Sequence, residues 1–329
     1  MPDPLLSIVL PCYNEEALIT EVHRRVSAAA QSVTNSYEIV FVNDGSRDMT
    51  FEGLVALSAG DPHLVIIQLS RNFGHQMALS AGFAYCRGQR VLAIDADLQD
   101  PPELLPEMMR VMDDEHADVV YGQRIQRKGE SWFKRTTAAL FYRLLRLMTD
   151  VAIPVDTGDF RLMRRQVVNA LNLMPEQHRF LRGMSTWVGF RQVAFPYQRA
   201  ARGAGTTKFS FAKMLRFAVD AMTSFSMRPL RVSFYLASTM ALLALVLVGL
   251  VVYSYFMNLT VPGWASLLAL FLIFGSAQLV VLGIIGEYVG RIYMEVKRRP
   301  LFLVSEVVRS GRIVSEDERH AYAVSGFTS

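Results

Sequence analysis

Two aspartates separated by one residue, Asp95-Ala-Asp97, close a short apolar run at residues 90–94. Carboxylates placed this way suit a hard divalent cation, Mg2+ or Mn2+, which keeps several waters and takes phosphate oxygens as further ligands. A nucleoside-diphosphate leaving group requires such neutralisation. Two other polar segments end apolar runs in the same manner. Pro11-Cys-Tyr-Asn-Glu-Glu16 follows residues 6–10 and presents Tyr13 and Glu15, groups able to stack on a base and hydrogen-bond a ribose. Val42-Asn-Asp-Gly-Ser46 follows residues 39–42, and Asp44 can accept a hydrogen bond from a base. Taken singly, the first reads as a solvated acidic turn, the second as a helix cap and the third as an Asp-Gly turn. Their succession gives them weight.

The elements that must carry these segments are legible to about residue 125. Apolar, β-rich runs at 6–10, 39–42, 64–69, 90–94 and 118–121 alternate with helical patterns. Between the first two runs Leu18, Val22, Val26 and Ala29 recur at helical spacing, with Asn14 the expected N-cap. The runs are nearly continuous, as in strands covered on both faces. Strand–helix alternation predicts a mostly parallel α/β sheet, whose ligands bind beyond the carboxyl ends of its strands. From 126 to 206 the pattern loosens, with helices expected near 131–148 and 163–173.

The chain has 329 residues, is 51% hydrophobic and carries a net charge of +4, with mean hydropathy +0.23 and a pI near 9.1. The apolar excess is localised: no Asp, Glu, Lys or Arg occurs between Arg231 and Glu287. A bilayer span needs about 20 apolar residues, so two are predicted, at 232–257 and 264–287, joined by an extracytoplasmic turn at 258–263. Arg228 and Arg231 precede the first span, and Arg291, Lys297, Arg298 and Arg299 follow the second. This asymmetry places both ends in the cytoplasm. Met1-Pro-Asp-Pro4 lacks the basic start of a signal peptide, in keeping with a cytoplasmic catalytic region at 1–207. The basic excess beside the spans fits an anionic membrane surface better than nucleic acid. An apolar stripe of Phe211, Met214, Leu215, Ala218, Met222 and Phe225 predicts an interfacial amphipathic helix within 208–231. Gly275, Ser276, Ala277, Gly283 and Gly286 allow close helix approach. With the β-prone segment 301–304 in the cytoplasmic tail 288–329, able to extend a neighbour's sheet, they point to a homo-oligomer, a tetramer among the options. The two cysteines, Cys12 and Cys86, fit a reducing compartment and no disulfide framework; Cys12 reads as packing.

The three strand-end motifs, in this order, resemble glycosyltransferase family 2, as do Arg71-Asn-Phe-Gly-His75 and Ala81-Gly82. Tyr121-Gly-Gln-Arg124, Asp156-Thr-Gly-Asp-Phe-Arg161, Gly205-Thr-Thr-Lys208, Pro229-Leu-Arg231 and Gly286-Glu-Tyr-Val-Gly-Arg-Ile-Tyr293 narrow the resemblance to its polyprenyl-phosphate branch. That resemblance implies a GT-A fold of Rossmann-like α/β type, a nucleotide-sugar donor and a polyprenyl-phosphate acceptor in the inner, or plasma, membrane. Pro11, Tyr13, Glu15 and Asp44 would hold the nucleoside. Asp95, Asp97 and Gln99 would hold metal and pyrophosphate, with Asp97 the main ligand, and Arg124 would reach the donor phosphates or sugar. Lys134 and Arg135 would receive the acceptor phosphate, although Thr137 and Ala138 stand where some relatives carry a serine. Arg202 and Lys208 would close over the diphosphate. Asp156 or Asp159 would orient sugar hydroxyls or, as loop carboxylates, pair with Arg161. A phosphate oxygen is already anionic, so an inverting attack needs no strong general base. UDP-glucose is the favoured donor, with GDP-mannose, UDP-N-acetylglucosamine and UDP-aminoarabinose as alternatives. A processive synthase would carry Gln-x-x-Arg-Trp, which does not precede Trp187. A non-catalytic sugar-binding scaffold would be expected to have lost the Asp95/Asp97 pair.

Overall fold

A computed structural model of the chain describes residues 3–125, 157–199, 228–257 and 263–315. The expected helix at 131–148, the stripe at 211–225, and Lys134, Arg135, Asp156, Arg202 and Lys208 lie outside these residues. The described residues fall into two compact units, one comprising 3–125, 157–199 and 300–315, the other 228–257 and 263–299.

The first unit is built on a sheet of nine strands. In chain order the elements are β1 (Leu6–Cys12), α1 (Ile19–Gln31), β2 (Tyr37–Asn43), α2 (Thr50–Gly60), β3 (Leu64–Leu69), α3 (His75–Tyr85) and β4 (Arg90–Ala93). They continue with α4 (Leu105–Asp114), β5 (Val119–Arg124), β6 (Thr157–Arg164), α5 (Arg165–Asn172), α6 (Leu181–Trp187), β7 (Gln192–Tyr197), β8 (Val304–Arg309) and β9 (Arg312–Ile313). The strand order is β7-β5-β6-β4-β1-β2-β3-β8-β9. β1, β2, β3 and β4 run parallel; β6 is antiparallel to β4 and β5, and β8 to β3.

β1 and β2 are buried at every position, as their mostly apolar composition implies, and the buried Ser7 hydroxyl donates to Glu38 Oε1 at 2.6 Å across the pair. On α1 the buried residues Ile19, Val22, Val26, Ala29 and Ala30 form the stripe that spacing predicts. The helix starts later than expected. Asn14 is not its cap: it adopts a left-handed φ of 56°, and its Oδ1 accepts a hydrogen bond from the Arg47 amide at 2.9 Å. A short polar side chain tolerates that conformation, and here it ties the loop after β1 to the loop after β2.

β6 and β7 were not anticipated. β6 holds polar and charged residues, so it lacks the apolar signature, yet seven of its eight residues are buried. The tail is a further correction. β8, which takes in only Val304 of the β-prone segment 301–304, completes the chain's own sheet beside β3, with Val307 and Val308 1% exposed on alternate faces. Pairing with β3 satisfies an edge that would otherwise present open backbone groups.

The second unit contains α7 (Arg228–Phe256) and α8 (Trp264–Val296), which pack on each other. By length and composition each is able to cross a membrane. Neither is a core helix, since Leu245, Phe271 and Leu279 are 73%, 73% and 71% exposed. α8 runs past the expected limit at 287, where Glu287 and Arg291 form an i,i+4 ion pair of 2.9 Å that supports continuation.

Candidate active site

β1 and β4 are neighbours although β2 and β3 lie on the far side of β1. The sheet therefore reverses winding between β1 and β4, which opens a crevice beyond their carboxyl ends. The segments following β1, β2, β4, β5 and β7 and the start of β6 all meet this edge.

Asp44, at the end of β2, is 3% exposed. Its Oδ1 accepts a hydrogen bond from the Phe73 amide at 2.7 Å and its Oδ2 one from the Gly74 amide at 2.9 Å. Burial raises its pKa, and the two amides partly offset that. Gly45 follows at φ 63°, where a Cβ would come within 2.5 Å of the Arg71 carbonyl carbon. Only glycine allows this approach. The Asp-Gly turn thus serves to fix the 71–74 segment, and that segment delivers His75 as the first residue of α3.

His75 Nε2 lies 3.0 Å from Asp159 Oδ2 and 3.4 Å from Asp95 Oδ1. Among the described residues, the ligand atoms of His75, Asp95 and Asp159 all fall within 4.8 Å of one another. Asp159 is almost fully buried and is clamped by the Arg182 fork, Nε to Oδ1 at 3.0 Å and Nη2 to Oδ2 at 3.2 Å. Gln76 Nε2 adds a hydrogen bond at 3.2 Å. Burial alone would raise the Asp159 pKa, but the Arg182 charge and the hydrogen bonds from His75 and Arg182 hold it well below the usual carboxylate range. Asp95 is the converse case. Burial, joined by the charges of Asp159, Asp100 and Asp97, raises it to about 6 against the lowering effect of His75. Its Oδ1 is buried without a hydrogen-bond partner, the condition expected of an oxygen that faces a cation. The site therefore fits a divalent ion. Asp159 has Arg182 as its charge partner; Arg161 instead turns to the Ser185 hydroxyl and the Gly158 carbonyl, and burial lowers its pKa to about 10.

Asp97 Oδ1 accepts a hydrogen bond from the Gln99 amide at 3.1 Å, closing a turn in which Leu98 takes a left-handed φ of 57°. Such a conformation costs a leucine roughly 1–2 kcal/mol; this strain lies beside the aspartate pair. Asp97 Oδ2 is 3.7 Å from Arg199 Nη2. Arg199 Nε donates to Asp100 Oδ1 at 3.1 Å, and Tyr197 donates its hydroxyl proton to the same oxygen. Arg124 Nε donates to the Tyr197 hydroxyl oxygen at 3.5 Å, and its guanidinium lies against Gly158, where a Cβ would approach Nη2 to 2.6 Å. Gln99 is 6% exposed within this loop. Across the crevice Pro11 is buried, Tyr13 is 39% exposed, and the Glu15 amide donates to Thr50 Oγ1 at 2.9 Å.

The structure thus gathers Asp95, Asp97, Gln99, Arg124 and Asp159 at one edge with Asp44 behind them. Sequence reasoning missed the roles of Gln76, Asp100, Arg182, Tyr197 and Arg199. Asp100 had a signal, since it lies within the Asp95–Pro102 motif; the arginines had none, because lone arginines between loosely patterned elements carry no spacing.

Comparison with known proteins gives the family. Residues 7–171 match the profile of glycosyl transferase family 2. A glycosyltransferase of Bacillus subtilis strain 168, YkcC, described as uncharacterized, is 47% identical over 301 residues, covering 91% of this chain and 93% of its own. The prophage bactoprenol glucosyl transferase homolog of Escherichia coli K12 is 37% identical over 303 residues, covering 92% and 99%. The bactoprenol glucosyl transferase of Shigella phage SfII is 38% identical over 302 residues, covering 92% and 97%. The fold is a mostly parallel α/β sheet domain, and the chain belongs to glycosyltransferase family 2.

Proposed function

We propose that the protein transfers one glucosyl residue from UDP-glucose to a polyprenyl phosphate, with inversion, at the cytoplasmic face of the inner membrane. The observation that carries this reading is the conjunction, in one chain, of the Asp95–Asp97 strand-end site with two exposed apolar helices of 29 and 33 residues. The first suits a nucleoside-diphosphate donor; the second suits an acceptor that lives in lipid. The relatives named as bactoprenol glucosyl transferases support both the acceptor and the sugar.

Pro11, Tyr13, Glu15 and Asp44 form the nucleoside side of the crevice, with Asp44 acting through the 73–74 backbone. Asp95 and Asp97, with Gln99, would hold Mg2+ or Mn2+, which supplies charge neutralisation to the diphosphate. Arg124, Arg202 and Lys208 add cationic partners for the departing oxygens, a form of electrostatic stabilisation set up before the reaction. Asp159, or Asp156, orients the sugar hydroxyls. The acceptor phosphate, held by Lys134 and Arg135, attacks the anomeric carbon from the face opposite the leaving nucleotide. Its oxygen is ionised, so no side chain has to remove a proton.

The test is transfer by the full chain in lipid nanodiscs, with undecaprenyl phosphate and labelled UDP-glucose, GDP-mannose, UDP-N-acetylglucosamine or UDP-aminoarabinose. A lipid-linked product from UDP-glucose alone, abolished by chelator and restored by Mn2+ or Mg2+, is expected. Preferential use of another sugar would overturn the donor assignment. Full turnover in excess chelator would overturn the metal.

A further inference from the structure

We infer that Arg199 is a positioning residue shared between two carboxylates: it neutralises Asp97 until the divalent cation binds there, and then withdraws onto Asp100. The inference deepens the metal-dependent reading above and rests on it.

Three observations carry it. First, Arg199 spans the two carboxylates unevenly. Its Nε donates to Asp100 Oδ1 at 3.1 Å, whereas its Nη2 stands 3.7 Å from Asp97 Oδ2. An N–H···O bond spans about 2.7–3.2 Å, so the first contact is a hydrogen bond and the second a contact of charges. Second, Asp100 has acceptor capacity left. Its side chain is 0% exposed, Tyr197 and Arg199 both donate to Oδ1, and Oδ2 is buried without a hydrogen-bond partner. A buried oxygen in that state is costly, and an arginine fork satisfies both oxygens of a carboxylate at once. Arg182 does this to Asp159, with Nε on one oxygen and Nη2 on the other. Arg199 has made the Nε half of the same fork on Asp100 and holds Nη2 toward Asp97. Third, the two carboxylates are fixed. Asp97 Oδ1 accepts the Gln99 amide at 3.1 Å in the turn that Leu98 closes with its left-handed φ. Asp100 is held by the Tyr197 hydroxyl. The guanidinium, on a long side chain 27% exposed, is the part able to move.

The charges explain why such a device is useful. Asp95, Asp97 and Asp100 lie within six residues of one loop, and the charges of Asp97 and Asp100 already act on Asp95. A counter-charge is needed to hold them together. A divalent ion on Asp97 supplies it and repels a guanidinium beside the same carboxylate. Nη2 then has Asp100 Oδ2 to go to, which completes the fork and satisfies the buried oxygen in one movement. Asp100 therefore keeps Asp97 accessible to the cation. Without the Asp100 charge, Arg199 is left with Asp97 as its partner and competes with the ion for it.

The experiment is Mn2+ binding to the full-length protein in detergent at saturating UDP, followed by the electron paramagnetic resonance of free Mn2+. In Asp100→Asn the affinity should fall about tenfold or more, and in Arg199→Gln it should rise. In the Arg199→Gln background Asp100→Asn should cost less than about threefold, because its effect runs through Arg199; the cycle measures that coupling. An equal loss with and without Arg199 would reduce Asp100 to a plain nearby charge and overturn the inference. A fall in Arg199→Gln would also overturn it, by placing the guanidinium on the diphosphate. Either result leaves the metal-dependent reading standing. Failure of Mn2+ to bind the unaltered protein with UDP would remove the metal from the proposed function and this inference with it. A crystal structure of the unaltered chain with Mn2+ and UDP gives a test that no variant's folding affects. Arg199 Nη2 should lie about 3 Å from Asp100 Oδ2; an Arg199 still against a cation-bound Asp97 would overturn the inference.

Discussion

Asp159 shows at the scale of one residue how this site manages charge. A carboxylate with a side chain only 4% exposed would be prohibitive without partners, and its pairing with Arg182 is what keeps it ionised. Removing one member of a buried pair typically costs 3–5 kcal/mol. Arg182 is 29% exposed, so Arg182→Met should cost somewhat less, about 2–4 kcal/mol, or roughly 4–16 °C in apparent Tm. Adding Asp159→Asn should recover part of that loss, because no charge is then stranded; a double-mutant cycle in thermal melts measures the coupling. The pH sign follows. In the unaltered protein the Asp159 pKa is depressed, so the pair stabilises at neutral pH and fails only on acidification below the ordinary carboxylate range. In Arg182→Met burial dominates and the pKa rises. The deficit should therefore shrink as pH falls from 7 to 5, and a deficit that grows would contradict the assignment.

β8 shows what an element contributes beyond its own stability. It closes the open side of β3, and just before it the Leu303 carbonyl accepts the Ser70 amide at 2.9 Å, immediately ahead of the 71–74 segment that Asp44 anchors. The tail strand therefore braces the 71–74 wall of the crevice. Val308→Asp would bury an unpaired charge at a position 1% exposed and should cost at least about 3 kcal/mol. UDP affinity should weaken with it. Ile313→Asp, at a 61% exposed position in β9, should stay within about 0.5 kcal/mol. Melting curves and UDP titration of the two variants distinguish a braced wall from a dispensable tail: equal behaviour would show that β8 does not support the site.

At the scale of the molecule, the charge asymmetry around α7 and α8 makes a topological prediction. Cysteines introduced near residue 260 should react with an impermeant maleimide from outside the cell, and those near residues 20 and 315 should not. The native thiols do not interfere. Burial raises Cys86 to about 11 and Cys12 higher still, so neither forms appreciable thiolate at pH 8, and both are covered. Unaltered protein should stay unlabelled until denatured. Labelling at residue 20 from outside would reverse the orientation.

What the sequence determined by itself was whatever depends on local pattern. The apolar runs before Asp44 and Asp95 are periodic or continuous, and each ends in a polar motif, so the parallel core, the carboxyl-edge location of the site and the two long apolar helices were all legible. Tertiary structure decided what depends on meetings between distant segments. β6 carries buried polar side chains because they pair with distant elements, Asp159 with His75, Gln76 and Arg182 and Arg161 with Ser185, so its sequence hides its burial. Arg182 and Asp159 are 23 residues apart, and His75 and Asp159 are 84 apart, with no periodicity to link them. The tail's β-propensity was visible, but a strand's partner is set by which edge is open, and only the folded sheet shows that the open edge is the chain's own β3.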